Sequence, residues 1–158
     1  MTSLPRAIRP ADERDLPLIL NSWLKSYRNA PACTTVPNDI YFSEDRGQKA
    51  RILDLLSNGQ TLIACDPEDD DCVYGWICTE EPGVSSVPPV VHYVYVKQAY
   101  RLRGVARGLL KAAGVGDAPF WATHETIAAR KTGIPYIYNP YHLATQALVP
   151  VAMAMEDE

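Results

Sequence analysis

The chain has 158 residues, 47% of them hydrophobic and 22% charged, with a formal net charge of -4. That is the size and balance of one globular domain with a single core, and it speaks against intrinsic disorder and a two-domain plan. No apolar run approaches the ~18 residues of a membrane span, and the acidic balance argues against broad electrostatic binding to nucleic acid. The opening Met1-Thr2-Ser3-Leu4-Pro5-Arg6 lacks a basic region followed by an apolar core, so the expected location is the cytoplasm.

Arg6 to Pro10 reads as a short strand ended by proline. Asp12 then offers an N-cap, with Glu13 and Asp15 as first-turn acids. A helix follows whose buried face is Leu16, Ile19, Leu20, Trp23, Leu24 and Tyr27, spaced three and four apart. Pro17 is tolerated because it sits near the start. Asn29 to Asn38, with Pro31 and Pro37, is expected to be a loop. Ser43 is the expected cap of a second helix with the face Ile52, Leu53, Leu55 and Leu56, and Asn58-Gly59 the expected left-handed stop.

Thr61 to Cys65 and Val73 to Thr79 read as an antiparallel hairpin across the acidic, proline-containing turn Asp66 to Asp71. That turn lacks the glycine and distal glutamate of a calcium loop and is read as a solvated tip. Glu81 to Pro89 is read as a mobile connection. Residues 90–96 form a long strand that is apolar on both faces, as a central strand should be. A helix over 104–113 ends at Gly114-Val115-Gly116, Pro119 to Thr123 suggests a further strand, and a short helix at Glu125 to Lys131 ends at Gly133. The remainder, where Tyr136, Tyr138 and Tyr141 cluster, is expected to be irregular. Cys33, Cys65, Cys72 and Cys78 form no Cys-x-x-Cys pair and have no histidine at ligand spacing. They are read as packed free thiols, and no metal site is expected.

The segment after the central strand carries the chemistry. Arg101-Leu102-Arg103-Gly104-Val105-Ala106 is a basic, glycine-containing turn at a helix start, and Arg107 adds a third arginine one residue on. Unpaired N–H groups at such a start point at an anion, the helix dipole reinforces them, and arginines add forked charged donors. Gly-x-Gly-x-x-Gly with a downstream acid is missing, and so is Gly-Lys-Ser/Thr, which argues against a Rossmann site and a P-loop. Arg101, Gly104 and Ala106 match Q/R-x-x-G-x-G/A, the acyl-CoA signature of the GCN5-related N-acetyltransferases, and with Val96, Tyr100, Arg103, Leu109 and Leu110 the segment resembles that superfamily.

The resemblance implies an α/β fold, a mixed and mainly antiparallel central sheet flanked by helices in a single domain. It implies acetyl-CoA as co-substrate, its phosphates held by Arg101, Arg103, Gly104, Val105, Ala106 and Arg107. It also implies that the strand end Val94, Tyr95 and Val96 splays from its neighbour to pair with the pantetheine amides. Leu102 stands where the family often has glycine.

Acetyl transfer to an amine needs a group to take the amine proton and a donor for the departing thiolate. Residues 90–96 contain no carboxylate; His92 is the titratable group there, with a reference pKa of about 6.5 that suits proton removal. The family's tyrosine on the helix after the next strand is missing, which leaves Tyr136, Tyr138 or Tyr141, and Tyr138 is taken as the candidate acid. His124 and Glu125 either line an acceptor pocket or cap the helix, and Trp23, Tyr27 and Trp76 are expected to be core or pocket wall, core being the default for the first two by helix spacing. The expected function is N-acyl transfer to an amine on a small molecule or protein. The alternatives are a DNA-base-modifying member of the fold, of the phage Mom type, and a CoA-binding module without chemistry.

Overall fold

The computed structural model describes residues 3–80, 88–131 and 133–141. β1 (Ala7–Pro10), β2 (Gln60–Asp66), β3 (Asp69–Glu80), β4 (Val90–Val96), β5 (Phe120–Ala122) and β6 (Tyr136–Tyr138) form one six-stranded sheet in that order. β1 to β4 pair antiparallel, whereas β4–β5 and β5–β6 are parallel. The helices are α1 (Leu16–Tyr27), α2 (Asn38–Tyr41), α3 (Gln48–Asn58), α4 (Val105–Ala112) and α5 (Ile127–Lys131).

The strands are apolar on both faces because both are covered. On one, Ile63, Cys65, Trp76, Cys78 and Tyr93 meet Ile19, Trp23 and Tyr27 of α1 and Ile52 and Leu55 of α3. On the other, Leu62, Ala64, Ile77 and Val91 meet Val105, Leu109 and Leu110 of α4. Side chains of this size contribute roughly 1.5–3 kcal/mol each when fully buried. The helix faces foreseen from spacing are buried at their centres, while Leu16 and Leu53 lie at the exposed margins.

Asp12 caps as expected. Its carboxylate accepts from Arg14 N, and Asp15 Oδ2 accepts in return from Asp12 N, around one 3-10 turn that leads into α1. The predicted loop 29–38 contains a 3-10 turn at Pro31–Cys33 and leads into α2. Cys33, Cys65 and Cys78 are buried free thiols and Cys72 is half-buried. The acidic tip is more than solvated: Arg14 reaches Asp70 and Asp71 at 3.0 Å each.

Three expectations are corrected. Ser43 does not cap the second helix. It bonds Asp45, and α3 begins after Gly47, whose missing Cβ would lie 2.5 Å from the Tyr41 carbonyl. Gly59 does not stop α3 in a left-handed turn; its backbone is extended (φ -112, ψ -173), and it is glycine because a Cβ would meet the Thr79 carbonyl at 2.5 Å. The stretch expected to be irregular contains β6, whose tyrosines alternate along a parallel edge strand. Within the predicted connection Glu81 to Pro89, residues 81–87 lie outside the described residues, as do residues 142–158 of the tail.

Candidate active site

β4 delivers the chain into the basic turn, and the turn into α4. Gly104 is the N-cap of α4 at φ +83, a conformation glycine adopts without steric cost, and no side chain caps the helix there. The first intrahelical donor is Gly108 N, to Gly104 O at 3.0 Å, so the amides before it face outward without a helical partner. Val105 is buried and contributes only backbone here. Leu102, 85% exposed, sits at φ +62, which explains why glycine suits that position.

The arginines frame this terminus differently. Arg101 Nε donates to the Val96 carbonyl at 2.9 Å, and Arg107 reaches Asp117 at 3.5 Å. The Arg103 carbonyl accepts from Leu4 N, which ties the N-terminal segment to the turn. A fourth cation, missed in the sequence, is Arg6: its guanidinium lies against α4 where Gly108 has no side chain, with Cζ 2.6 Å from the position a Cβ would take. Among the described residues Arg6 bonds only Ser3 Oγ and the Leu4 carbonyl, and no carboxylate.

The edge of β4 opens toward the same terminus. On its β3 side β4 is paired throughout, with Ile77 opposite Val94, Trp76 opposite Tyr95 and Gly75 opposite Val96. On its β5 side the pairing covers only Val90 and Val91, closed by Thr123 N to Val91 O at 3.2 Å. Among the described residues, Val94, Tyr95 and Val96 therefore present an edge that β5 does not cover. The register also slips by one residue where Cys78 faces Tyr93 and Thr79 faces Val91, which makes His92 the extra residue of a bulge.

The vertex between β4 and β5 holds a buried polar chain. His92 Nδ1 is 2.9 Å from Thr123 Oγ1, Thr123 Oγ1 is 2.9 Å from His124 Nδ1, and His124 Nε2 is 2.9 Å from Gln48 Nε2 on the first turn of α3. At the far end His92 Nε2 lies 3.6 Å from Glu80 Oε1, so β3 supplies the carboxylate that residues 90–96 lack. Burial, with the charges of Arg51 and His92, drives His124 well below the usual imidazole range. Aromatic rings wall the chain: Trp23 stacks on Tyr93 at 4.9 Å and Tyr27 lies 4.7 Å from the His124 ring. Burial pushes the Tyr93 phenol up to about 12, and its hydroxyl is 2.6 Å from Ser26 Oγ.

His92 is fully buried, and its Nδ1 meets the vertex at Thr123 Oγ1. Tyr138, an exposed residue of β6 opposite Ala122, interacts with the Tyr27 hydroxyl. The three tyrosines do not act as one group: Tyr136 donates to Glu125 Oε2 and Tyr141 is exposed. Glu125 also binds Arg130, while Thr126 Oγ1 accepts from Ala129 N and caps α5. Sequence reasoning missed Arg6, Gln48, Glu80 and Thr123, which carry no local pattern.

No protein-family model and no curated protein matches the chain. Solved structures do. An acetyltransferase from Corynebacterium glutamicum described as histone acetyltransferase HPA2 and related acetyltransferase is 19% identical over 72% of this chain and 74% of that one, with a TM-score of 0.53. The PaiA N-acetyltransferase from Thermoplasma acidophilum, solved in complex with coenzyme A, is 15% identical over 98% of this chain and 89% of that one, with a TM-score of 0.50. A GCN5-related N-acetyltransferase from Rhodopseudomonas palustris is 20% identical over 71% of this chain, at a TM-score of 0.48; the chain spans 65% of that protein's length.

Proposed function

We propose that this chain, which has the fold of the GCN5-related N-acetyltransferases, moves an acetyl group from acetyl-CoA to an amine. The observation that carries the reading is the continuity of one surface, from the uncovered edge of Val94 to Val96 into the turn where Gly104 opens α4. A peptide-like arm pairs with the first part. A pyrophosphate suits the second, where N–H groups and the positive helix end lie within a stretch that carries Arg101, Arg103 and Arg107. Arginines gathered at a positive helix end repel one another and the dipole, and a bound anion relieves that repulsion.

The transfer is direct, with no covalent enzyme intermediate. The amine nitrogen attacks the thioester carbonyl, the N–C bond forms as the C–S bond breaks, and the amine proton leaves while the thiolate gains one. A cationic acceptor, a polyamine, an aminoglycoside or a lysine or N-terminal amine, fits the net charge of -4. The working compartment is the cytoplasm, where free thiols stay reduced. His92 serves the proton transfer, and Tyr138 beside Tyr27 is the candidate donor to the thiolate.

Calorimetry with acetyl-CoA tests the site. Arg101→Ala should weaken binding by about tenfold, the scale of one charged hydrogen bond, and Gly104→Glu should abolish it by setting a carboxylate at the anion position. Unchanged affinity in both variants would overturn the reading. Release of free CoA thiol in a screen of these amines then identifies the acceptor, and binding without turnover on any of them would mark a binding module instead.

A further inference from the structure

We propose that Glu80, His92, Thr123 and His124 form a proton relay at the vertex of β4 and β5, with His124 Nε2 as the atom that takes the proton from the acceptor amine. The proposal rests on the acetyl-transfer reading, because the vertex is where an arm lying along the open edge of β4 ends.

The direction of the chain follows from proton counting. Thr123 has one hydroxyl proton and lies between two imidazole Nδ1 atoms, so it donates to one ring and accepts from the other. The Gln48 amide donates to His124 Nε2, which leaves the His124 proton on Nδ1, pointing at Thr123. Thr123 then donates to His92 Nδ1. The His92 proton is therefore on Nε2, on the side of the Glu80 carboxylate 3.6 Å away, where a negative charge favours it. Each link agrees with the next, and the opposite polarity would turn an Nε2 lone pair toward Glu80.

The surroundings fit a conduit better than a store. Arg51 of α3 and His92 of β4 act on His124 by charge; Tyr27 of α1, Tyr93 of β4 and Gln48 of α3 face it as neutral groups. A proton placed on His124 is disfavoured there, whereas one passed to His92 rests beside a carboxylate. Gln48 is half-buried at the start of α3, so an incoming amine can take the place of its amide.

In the reaction the amine N–H bond breaks as the N–C bond forms, and that proton goes to His124 Nε2. The Nδ1 proton of His124 moves to the Thr123 oxygen, the Thr123 proton moves to His92 Nδ1, and His92 becomes an imidazolium beside Glu80. The C–S bond breaks with its electron pair on sulfur. The thiolate gains a proton from the Tyr138 hydroxyl, solvent reprotonates Tyr138, and the relay releases the amine proton to solvent, so amine and thioester become amide and thiol. His124 is the catalytic residue; Thr123, His92 and Glu80 are positioning residues.

The test combines imidazole nitrogen NMR on the intact protein with calorimetry and kinetics, using the best amine from the screen. Expected are His124 protonated on Nδ1 and His92 on Nε2. Thr123→Val should lower kcat about 100-fold, the lower range of general-base effects, with acetyl-CoA affinity within about twofold, while Thr123→Ser keeps most of kcat. Glu80→Gln should move the acid limb of the pH profile to lower pH, which a merely structural carboxylate would not do. A proton on His124 Nε2, or a Thr123→Val enzyme with the original kcat and profile, overturns the relay and leaves the cofactor reading standing. A protein that binds no acetyl-CoA overturns that reading whatever the tautomers, and one that binds it yet acetylates no amine overturns transfer and relay together.

Discussion

Arg9 of β1 and Asp15, in the turn before α1, form a two-pronged ion pair, Nη1 to Oδ2 at 2.7 Å and Nη2 to Oδ1 at 2.8 Å. Asp15 is buried, yet its carboxyl lies below the ordinary range: burial alone would raise it, and the Arg9 hydrogen bonds, the Asp12 N–H and the Arg9 and Arg14 charges outweigh burial. Because the folded value is depressed, its contribution to stability is full above the unfolded carboxylate pKa of about 3.9 and is lost as pH falls below it. Arg9→Ala should cost about 2–3 kcal/mol at pH 7, short of a fully buried pair because Arg9 keeps some solvent. In urea unfolding the wild-type protein should lose more between pH 5 and pH 3 than the variant; equal losses would show that another group sets the acid limb.

Leu102 occupies a left-handed conformation at φ +62 while its side chain is 85% exposed, so it gives up little packing. The strain is roughly 1–2 kcal/mol and the added freedom of an unfolded glycine returns about half of it. Leu102→Gly should therefore stabilise the fold by about 0.5–1 kcal/mol, seen as a raised urea midpoint.

Gly59 separates a conformational reason for glycine from a steric one. If a left-handed cap were the reason, asparagine would serve nearly as well as glycine. Its backbone is extended and the obstacles are the carbonyls of Thr79, at 2.5 Å, and Leu55, at 3.0 Å, neither of which can rotate away. Gly59→Ala and Gly59→Asn should both destabilise by about 1–3 kcal/mol, as overpacking does. A tolerated asparagine would contradict the steric account.

Ser22 joins α1 to the sheet. Its hydroxyl accepts from the buried Trp76 indole N–H at 2.9 Å and donates to the Leu18 carbonyl at 2.6 Å. Ser22→Ala leaves that N–H without its acceptor and should cost about 1–3 kcal/mol in thermal or urea unfolding. Acetyl-CoA affinity should not change, since the link lies on the sheet face opposite α4.

Much of the fold was legible because it is local. Ile19, Trp23 and Tyr27 announce a buried helix face by spacing alone, and Arg101 to Ala106 announces a basic, glycine-containing helix start because the N–H groups and charges belong to consecutive residues. Where expectation failed, the cause lay elsewhere in the chain: carbonyls from α2 and β3 place Gly47 and Gly59, and a parallel neighbour turns Tyr136 to Tyr138 into a strand.

The sequence by itself determined the order of the strands and longer helices from β1 to α5, the two-sided burial of the central strand and the basic turn that opens α4, because apolar period and backbone freedom are properties of adjacent residues. Only the tertiary structure decided the vertex. A one-residue slip between β3 and β4 makes His92 a bulge, and the parallel start of β5 brings Thr123, 31 residues on, to 2.9 Å from its ring. Packing of α3 sets Gln48 against His124, 76 residues away, and β3 supplies Glu80. Register and packing fix those distances, and neither is written in any short stretch of the chain.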